Sequence, residues 1–270
     1  MISKVEKNIK GFLFDLDGTF YVSNKIIKSA NKTIKWLDEN NIDYVFLTNT
    51  TTKSRETLCK HLNKIGLKIN KKKIITANYA GSLFLENHPN STYELILNDE
   101  AKKDYKKSRI NKNDPDFIVI GDIDNNWDFQ IMNDIFNKVM DGSKIIALHR
   151  GKYFQINSGL RIDTGAFIKG LEYATNKDSI LIGKPDQSFF KIALKFLNMS
   201  RKNVAMVGDD LVNDIQGAKD NNIFSILVKT GKYRENIYKS SSIEADLVIN
   251  SIYEIPEFFN HLNKIETRKS

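Results

Sequence analysis

Short apolar runs alternate, along the first part of the chain, with stretches in which apolar residues recur at helical spacing. "GFLF" at 11–14 precedes Ala30, Ile34 and Leu37, and "YVFL" at 44–47 precedes Leu58, Leu62 and Ile65, closed by Gly66. This pattern predicts strand, helix, strand, helix. It returns late in "ILIG" at 180–183, a helix opening near Pro185 and Asp186, "VAMVG" at 204–208, a helix around 213–221, and "FSILV" at 224–228, with "ADLVI" at 245–249 as one more strand. Strands that are apolar throughout belong to a parallel sheet covered by helices on both faces. The expected fold class is therefore α/β, a doubly wound parallel-sheet, Rossmann-like core formed by residues 1–79 and 181–270.

Residues 80–180 have a different texture. "YELIL", "FIVIG", "KIIALH" and "KYFQI" are separated by polar turns and one amphipathic helix, "DFQIMNDIFNKVM", while "DGSK" at 141–144 and "NSG" at 157–159 supply turn chemistry. They read as an inserted α/β domain whose last helix is "GAFIKGLEYAT", 165–175. No internal repeat stands out, and the only biased segment is the tail "KIETRKS".

Composition narrows the classes. The apolar share is 41% and the charged share 27%, and no apolar run approaches the roughly 20 residues that cross a bilayer. "MISKVEKNIKGFLF" has a basic stretch but neither a long apolar segment nor a small-residue cleavage site before Asp15, so a cytoplasmic location and no membrane partner are expected. The single cysteine, Cys59, forms neither an internal disulfide nor a multi-thiolate metal site. Lysine and arginine number 41 against 33 aspartates and glutamates, a net charge of +8 that favours anionic partners. The densest runs, "NKKKI" and "AKKDYKK", read as solvated faces. No basic stripe interleaved with aromatics appears, so no nucleic-acid partner is expected.

Polar residues follow each apolar run of the core. Asp15 follows "FLF", Thr48 and Asn49 follow "YVFL", Lys184 follows "ILIG", and Asp209 and Asp210 follow "VAMVG". In an open parallel sheet the carboxyl ends of all strands share one edge, where ligands bind. A single acid after a strand is as well explained by a turn; four such ends converging are not. Two like charges about 4 Å apart repel by roughly 4 kcal/mol at an effective dielectric near 20. Either one carboxylate keeps a proton or a hard divalent cation neutralises them. Oxygen donors without histidine or thiolate point to Mg²⁺, whose coordination a substrate phosphate completes. Lys184 adds a positive point charge for a nucleophile or for phosphate oxygens.

"DLDGT" at 15–19, "LTNT" at 47–50, "GKP" at 183–185 and "GDDLVND" at 208–214 resemble, in order and context, the four motifs of the haloacid dehalogenase (HAD) superfamily. The extended "LTNTTTKSR", the cap-sized insert and "DTGAFIKGLEYAT" before "GKP" are similar to subclass IIA, the NagD-like enzymes, and most of all to the phosphatases of phospholysine, phosphohistidine and inorganic pyrophosphate. The resemblance covers about residues 10–260 and implies a Mg²⁺-dependent phosphatase of small phosphorylated molecules. In it Asp15 attacks phosphorus to form an aspartyl phosphate and Asp17 protonates the leaving group, then activates water. Thr48 and the backbone around Asn49 bind the phosphoryl oxygens together with Lys184. Mg²⁺ is held by the Asp15 carboxylate, the Asp17 carbonyl and Asp209, with Asp214 acting through water or orienting the ligands. Asp210 is either such an outer partner or a helix cap. The subclass often dimerises through its caps, which makes a homodimer through the insert the expectation from the resemblance.

Other candidates are weaker. "DIDNNWD" at 122–128 would need Gly at Trp127 and Glu at Asn133 to be an EF-hand loop, so a turn and helix start is expected. No Walker loop and no GxGxxG fingerprint are present. "VKTGKYRE" at 228–235 reads as a strand-to-loop turn. His149, Arg150, Lys152 and Tyr153 form either a cap loop that selects substrate, as the subclass implies, or an exposed polar hairpin. Two rivals to hydrolysis stay open, a phosphomutase using the same site and a non-catalytic phosphate-ligand-binding protein, and the sequence does not choose among phosphoamino acids, pyrophosphate, sugar phosphates and nucleotides as substrate.

Overall fold

The computed structural model describes residues 8–156 and 159–266. The first seven residues, Asn157 and Ser158 of the anticipated "NSG" turn, and the last four residues of the tail lie outside the described residues. In chain order the elements are β1 (Gly11–Phe14), β2 (Tyr21–Val22), β3 (Lys25–Ile26), α1 (Ala30–Glu39), β4 (Asp43–Thr48), α2 (Arg55–Lys64), β5 (Ile74–Thr76), α3 (Ala77–Glu86), β6 (Tyr93–Ile96), α4 (Asp99–Lys102) and β7 (Phe117–Ile120). There follow α5 (Phe129–Asp141), β8 (Lys144–Ala147), β9 (Tyr153–Ile156), β10 (Gly159–Ile162), α6 (Thr164–Thr175), β11 (Ile180–Leu181), α7 (Gln187–Leu197), β12 (Val204–Gly208), α8 (Gly217–Asp220), β13 (Phe224–Val228), α9 (Glu235–Ser240), β14 (Leu247–Ile249) and α10 (Ile255–Glu266). The chain divides into two compact units, one of residues 1–48, 59–75 and 184–270, the other of residues 49–58 and 76–183.

The first unit is built on a six-stranded sheet in the order β14-β13-β12-β1-β4-β5. All residues of β1, β12 and β13 are buried, as expected for strands covered on both faces. Phe14 packs against Phe12, Phe20, Tyr44 and Phe46 at ring-centroid distances of 5.3, 5.2, 6.2 and 6.3 Å. Phe12 and Trp36 both meet Phe259 of α10, so α1 and α10 close one layer, while α7 packs on β4 and α8. β1 is the central strand. From it the chain order runs outward through β4 and β5 on one side and β12, β13 and β14 on the other, which makes the β1–β12 boundary the topological switch point.

The second unit holds a four-stranded parallel sheet, β11-β8-β7-β6, and an antiparallel hairpin, β9–β10. Ile118, Ile120, Ile145 and Ala147 of that sheet form one core with Ile135 and Val139 of α5 and Ile168 and Leu171 of α6. Phe117, on the opposite face by strand alternation, packs edge-on against Phe84 of α3 at 5.8 Å.

Two expectations about strands need correction. "ILIG" is not a strand of the first sheet: Ile180 and Leu181 pair with Ile146 and Ala147 of β8. Both residues are only half-buried, and a four-residue apolar run carries no information on which sheet it joins. The first sheet instead gains β5, "IIT", entirely buried, directly after the "KKK" run that reads as a solvated face. The helix expected at 213–221 begins as a π-helical turn over Leu211–Gln216 and becomes α-helical only at Gly217.

Because Phe14 is wholly buried among four aromatic rings, Phe14→Ala is expected to lower stability by about 3–5 kcal/mol. Chemical denaturation would show this as a lower midpoint at unchanged slope, and a midpoint shift worth under about 1 kcal/mol would contradict this account of the core.

Candidate active site

β1 and β12 are neighbours in register, with Phe14 opposite Val207, so the residues that follow them, Asp15 and Asp209, emerge side by side at the switch point. The Asp15 amide donates to the Val207 carbonyl at 2.9 Å, which fixes where the Asp15 side chain leaves the sheet. β4 pairs on the other flank with Phe46 opposite Phe14, and its last residue is Thr48, buried. Lys184, 3% exposed, donates to Asp15 Oδ1 at 2.5 Å and to Asp214 Oδ1 at 2.6 Å. Asp15, Asp209 and Asp214 are all buried, and one carboxylate oxygen from each lies within 4.8 Å of the others.

Asp214 is carried inward by the π-helical turn, and its Oδ2 accepts from the Asp210 amide at 3.1 Å. An extra residue in a helical turn rotates the side chains beyond it, which is why such turns are found at working sites. Asp210 caps this turn, accepting from the Val212 and Asn213 amides at 3.0 Å each, and also accepts from Lys232 Nζ at 2.8 Å. Of the two roles open for it from sequence, the cap is directly visible and is joined by an ion pair.

Burial governs the electrostatics. It pushes the Asp209 carboxyl up to about 9, reinforced by the charges of Asp15 and Asp214. It raises Asp214 to about 7 against the pull of Lys184, and Asp15 also lies above its ordinary value despite Lys184. Burial opposes the charge of Lys184, but Asp15 and Asp214 outweigh it and hold the ammonium protonated. For Asp210, Lys232 and the Asn213 amide overcome burial and bring it to about 2. Without a cation the raised values of Asp15, Asp209 and Asp214 keep protons on these buried carboxyls; were all three ionised, their charge would exceed that of the one buried ammonium, an excess that a hard cation would balance. The all-oxygen donor set fits Mg²⁺.

Asp17 lies in a tight turn in which the Gly18 amide donates to the Tyr21 carbonyl at 2.7 Å and Gly18 takes φ +90°, a conformation strained for any other residue. The Asp17 side chain is exposed, and its carboxyl is raised, chiefly by loss of water on its protein-facing side.

The loop after β13 was legible only as a turn, yet it clamps this site. Thr230 Oγ1 donates to the Gly18 carbonyl at 2.5 Å, and the Lys232 amide donates to Asp209 Oδ2 at 2.6 Å. Gly231 sits between them at φ +55°, where a Cβ would overlap the Asp209 carboxylate and Gly18 Cα. The available signal was its position, since "TGK" follows a core strand on the edge that already carries Asp15 and Asp209.

Asn49 clusters with the second unit. There His149 is buried, with Nε2 3.6 Å from Asp163 Oδ1 and Nδ1 accepting from the Gly151 amide at 3.2 Å. Arg150 is tied to Glu172 at 2.9 Å and to Ser179. Lys152 and Tyr153 are exposed. "DIDNNWD" forms a 3₁₀ turn over Asp124–Asn126, and Asp128 caps α5 by accepting from the Ile131 amide. No described helix is long and apolar enough to cross a membrane.

Clustered carboxylates and a buried lysine at the switch point of an open sheet define an aspartate-based site where α/β enzymes bind their ligands. Residues 12–111 match the family model of haloacid dehalogenase-like hydrolases, and residues 181–255 match a second, HAD-hydrolase-like model. The human haloacid dehalogenase-like hydrolase domain-containing protein 2 is 34% identical over 226 residues, 84% of this chain and 86% of that one. The human phospholysine phosphohistidine inorganic pyrophosphate phosphatase is 29% identical over 252 residues, 91% of this chain and 92% of that one. A 4-nitrophenylphosphatase from Thermotoga maritima has the same fold, with a TM-score of 0.87 at 23% identity, covering 94% of this chain and 98% of that one; NagD from E. coli superposes with a TM-score of 0.82 at 19% identity, covering 92% and 98%. The chain belongs to the haloacid dehalogenase-like hydrolases, in subclass IIA.

Lys184→Met would leave Asp15 and Asp214 buried without their shared ammonium, at an expected cost of about 3–5 kcal/mol at neutral pH without divalent cations. Urea denaturation measures this, and an unchanged midpoint would contradict the electrostatic role given to Lys184.

Proposed function

We propose that this hydrolase is a magnesium-dependent phosphatase of small phosphorylated molecules that works through an aspartyl phosphate on Asp15, with the first unit as catalytic core and the second as cap. The observation that carries the reading is the closed group of Asp15, Lys184, Asp209 and Asp214 at the switch point, with Asp17 two residues beyond Asp15. The Asp15 and Asp209 carboxylates and the Asp17 carbonyl would hold Mg²⁺, with Asp214 orienting the group. When bound, the ion supplies positive charge that keeps the nucleophile and the phosphoryl oxygens together.

In the first step an Asp15 carboxylate oxygen forms a bond to phosphorus. The bond to the leaving oxygen breaks with its electron pair, and Asp17 gives that oxygen a proton. In the second step Asp17, now a carboxylate, takes a proton from water as the water oxygen attacks phosphorus, releasing inorganic phosphate and the Asp15 carboxylate. A carboxyl raised above its ordinary value, as at Asp17, suits the acid role. Lys184, bonded to Asp15 Oδ1, leaves the other carboxylate oxygen for attack, and with Thr48 and the Asn49 backbone it would neutralise the transferring group. His149, Arg150, Lys152 and Tyr153 are proposed to set specificity, the first two by shaping the loop and the exposed pair by contact. The relatives named phosphatases support hydrolysis over a mutase or a sensor.

Asp15→Asn is expected to reduce Mg²⁺-dependent hydrolysis of 4-nitrophenyl phosphate by at least about a thousandfold. Retention of more than a few per cent of the turnover would refute the covalent route. A second expectation concerns pH. Asp209 and Asp214 keep protons in the folded chain up to about 9 and about 7, but lose them near 3.8 when unfolded. The folded state therefore binds more protons across that window, and metal-free stability should fall as pH rises through it. Binding of Mg²⁺ to the ionised groups removes the penalty, so the Tm difference between Mg²⁺-loaded and chelated protein should widen from pH 5 to pH 9. A constant difference would argue against metal binding at these carboxylates.

A further inference from the structure

Within the second unit, the turn between β7 and α5 and the junction of β10 with α6 border a half-open cavity of about 220 Å³ whose walls include Asp122, Asp124, Trp127, Arg161, Thr164 and Phe167. None of these residues has a part in the hydrolytic steps. The indole of Trp127 stacks on Phe167 with centroids 4.5 Å apart and planes 6° from parallel, giving the cavity a flat, rigid wall. Two residues of the lining, Trp127 and Thr164, also carry a buried polar atom without a partner, Nε1 and Oγ1, the latter on a residue 2% exposed.

The charges state what kind of guest fits. Asp122 is half-buried, its carboxyl raised by burial and by the charges of Asp124 and Asp163. No described lysine or arginine forms an ion pair with Asp122 or Asp124. Arg161 is steered by Asn125, whose Oδ1 accepts from its Nη2 at 2.7 Å, which leaves further guanidinium donors for a ligand. The cavity therefore offers acceptors at Asp122 and Asp124 and donors at Arg161, beside the flat wall of Trp127 and Phe167. We propose that it binds a small zwitterion of amino-acid size, its ammonium on the two carboxylates, its carboxylate on Arg161 and its carbon chain against the aromatic wall. A volume below the usual range for drug-sized ligands limits the guest to a few heavy atoms.

The chain has two tryptophans, so Trp36→Phe in the full-length protein leaves Trp127 as the sole indole and a reporter on the cavity wall. This protein would be titrated with ω-amino acids from glycine to 6-aminohexanoate, with hexylamine and hexanoate as singly charged controls, by fluorescence and by calorimetry. The expected result is saturable binding at one or more chain lengths, at least tenfold tighter than either control, and weakened at least tenfold by Asp122→Asn and separately by Arg161→Gln. Thermal unfolding of each variant confirms that it is folded; if one is not, the other carries the test. Absence of saturation up to about 10 mM at every chain length, equal affinity for a control, or binding indifferent to both variants would each overturn the proposal. These readings need no turnover, so they stand or fall separately from the hydrolytic assignment.

Discussion

A fully buried ammonium bonded to two buried carboxylates is the constraint around which the first unit is arranged. Lys184 reaches Asp15 and Asp214 from a position 169 residues away in sequence from the first and 30 from the second. Taking three charges out of water costs several kcal/mol per ion before their attraction is counted, so such a group persists only where the surrounding backbone holds it. The sheet provides that rigidity. The backbone of Asp15 is fixed by its own amide on Val207, and that of Asp209 by following directly on β12, so both carboxylates start from rigid positions. Asp214 is held from the other side by the π-helical turn and the Asp210 amide. Ionising all three carboxyls against this one ammonium would leave negative charge that a hard cation would balance.

The clamp from the β13 loop follows from the same constraint. A carboxylate such as Asp209, with its pKa near 9 in the absence of a cation, would tend to rotate away or take up a proton. The Lys232 amide, donating to its Oδ2 at 2.6 Å, holds the carboxylate in place. Thr230 performs the corresponding task for the Gly18 turn that carries Asp17. Residues 230–232 therefore tie the Gly18 turn beside Asp17 to the Asp209 carboxylate, and Gly231 between them passes so close to both that a Cβ would overlap them.

How much of this the sequence disclosed depends on the physical signal at each place. Buried parallel strands leave continuous apolar runs, so β1, β4, β12 and β13 were legible, and with them Asp15, Thr48, Asp209 and their shared edge. "ILIG" carried the same signal and was misplaced, because hydrophobicity records burial but not the identity of the partner strand. Lys184 does lie beside Asp15, but not as the end of a first-sheet strand: it follows a strand of the second sheet. "IIT" at 74–76 was hidden by its three-residue length and by the lysines before it. The contacts of Thr230 and Lys232 are made largely through backbone groups, which every residue possesses, so composition could not mark them.

The two units divide the chemistry unequally, and this bears on how specificity could change. Every charged group of the proposed displacement, Asp15, Asp17, Lys184, Asp209 and Asp214, belongs to the first unit, and among the proposed phosphate-binding positions only Asn49, through its backbone, belongs to the second. The second unit has a separate polar framework in which Arg150, Glu172 and Ser179 brace the chain after β8, and Lys138 bridges Glu94 and Asp134. Substitutions at exposed positions such as Lys152 or Tyr153 therefore act on neither the buried ion group nor the bracing network. Under the proposed roles, such positions can alter which phosphorylated molecule is accepted while the energetics of phosphoryl transfer, set by buried charges elsewhere in the chain, stay as they are.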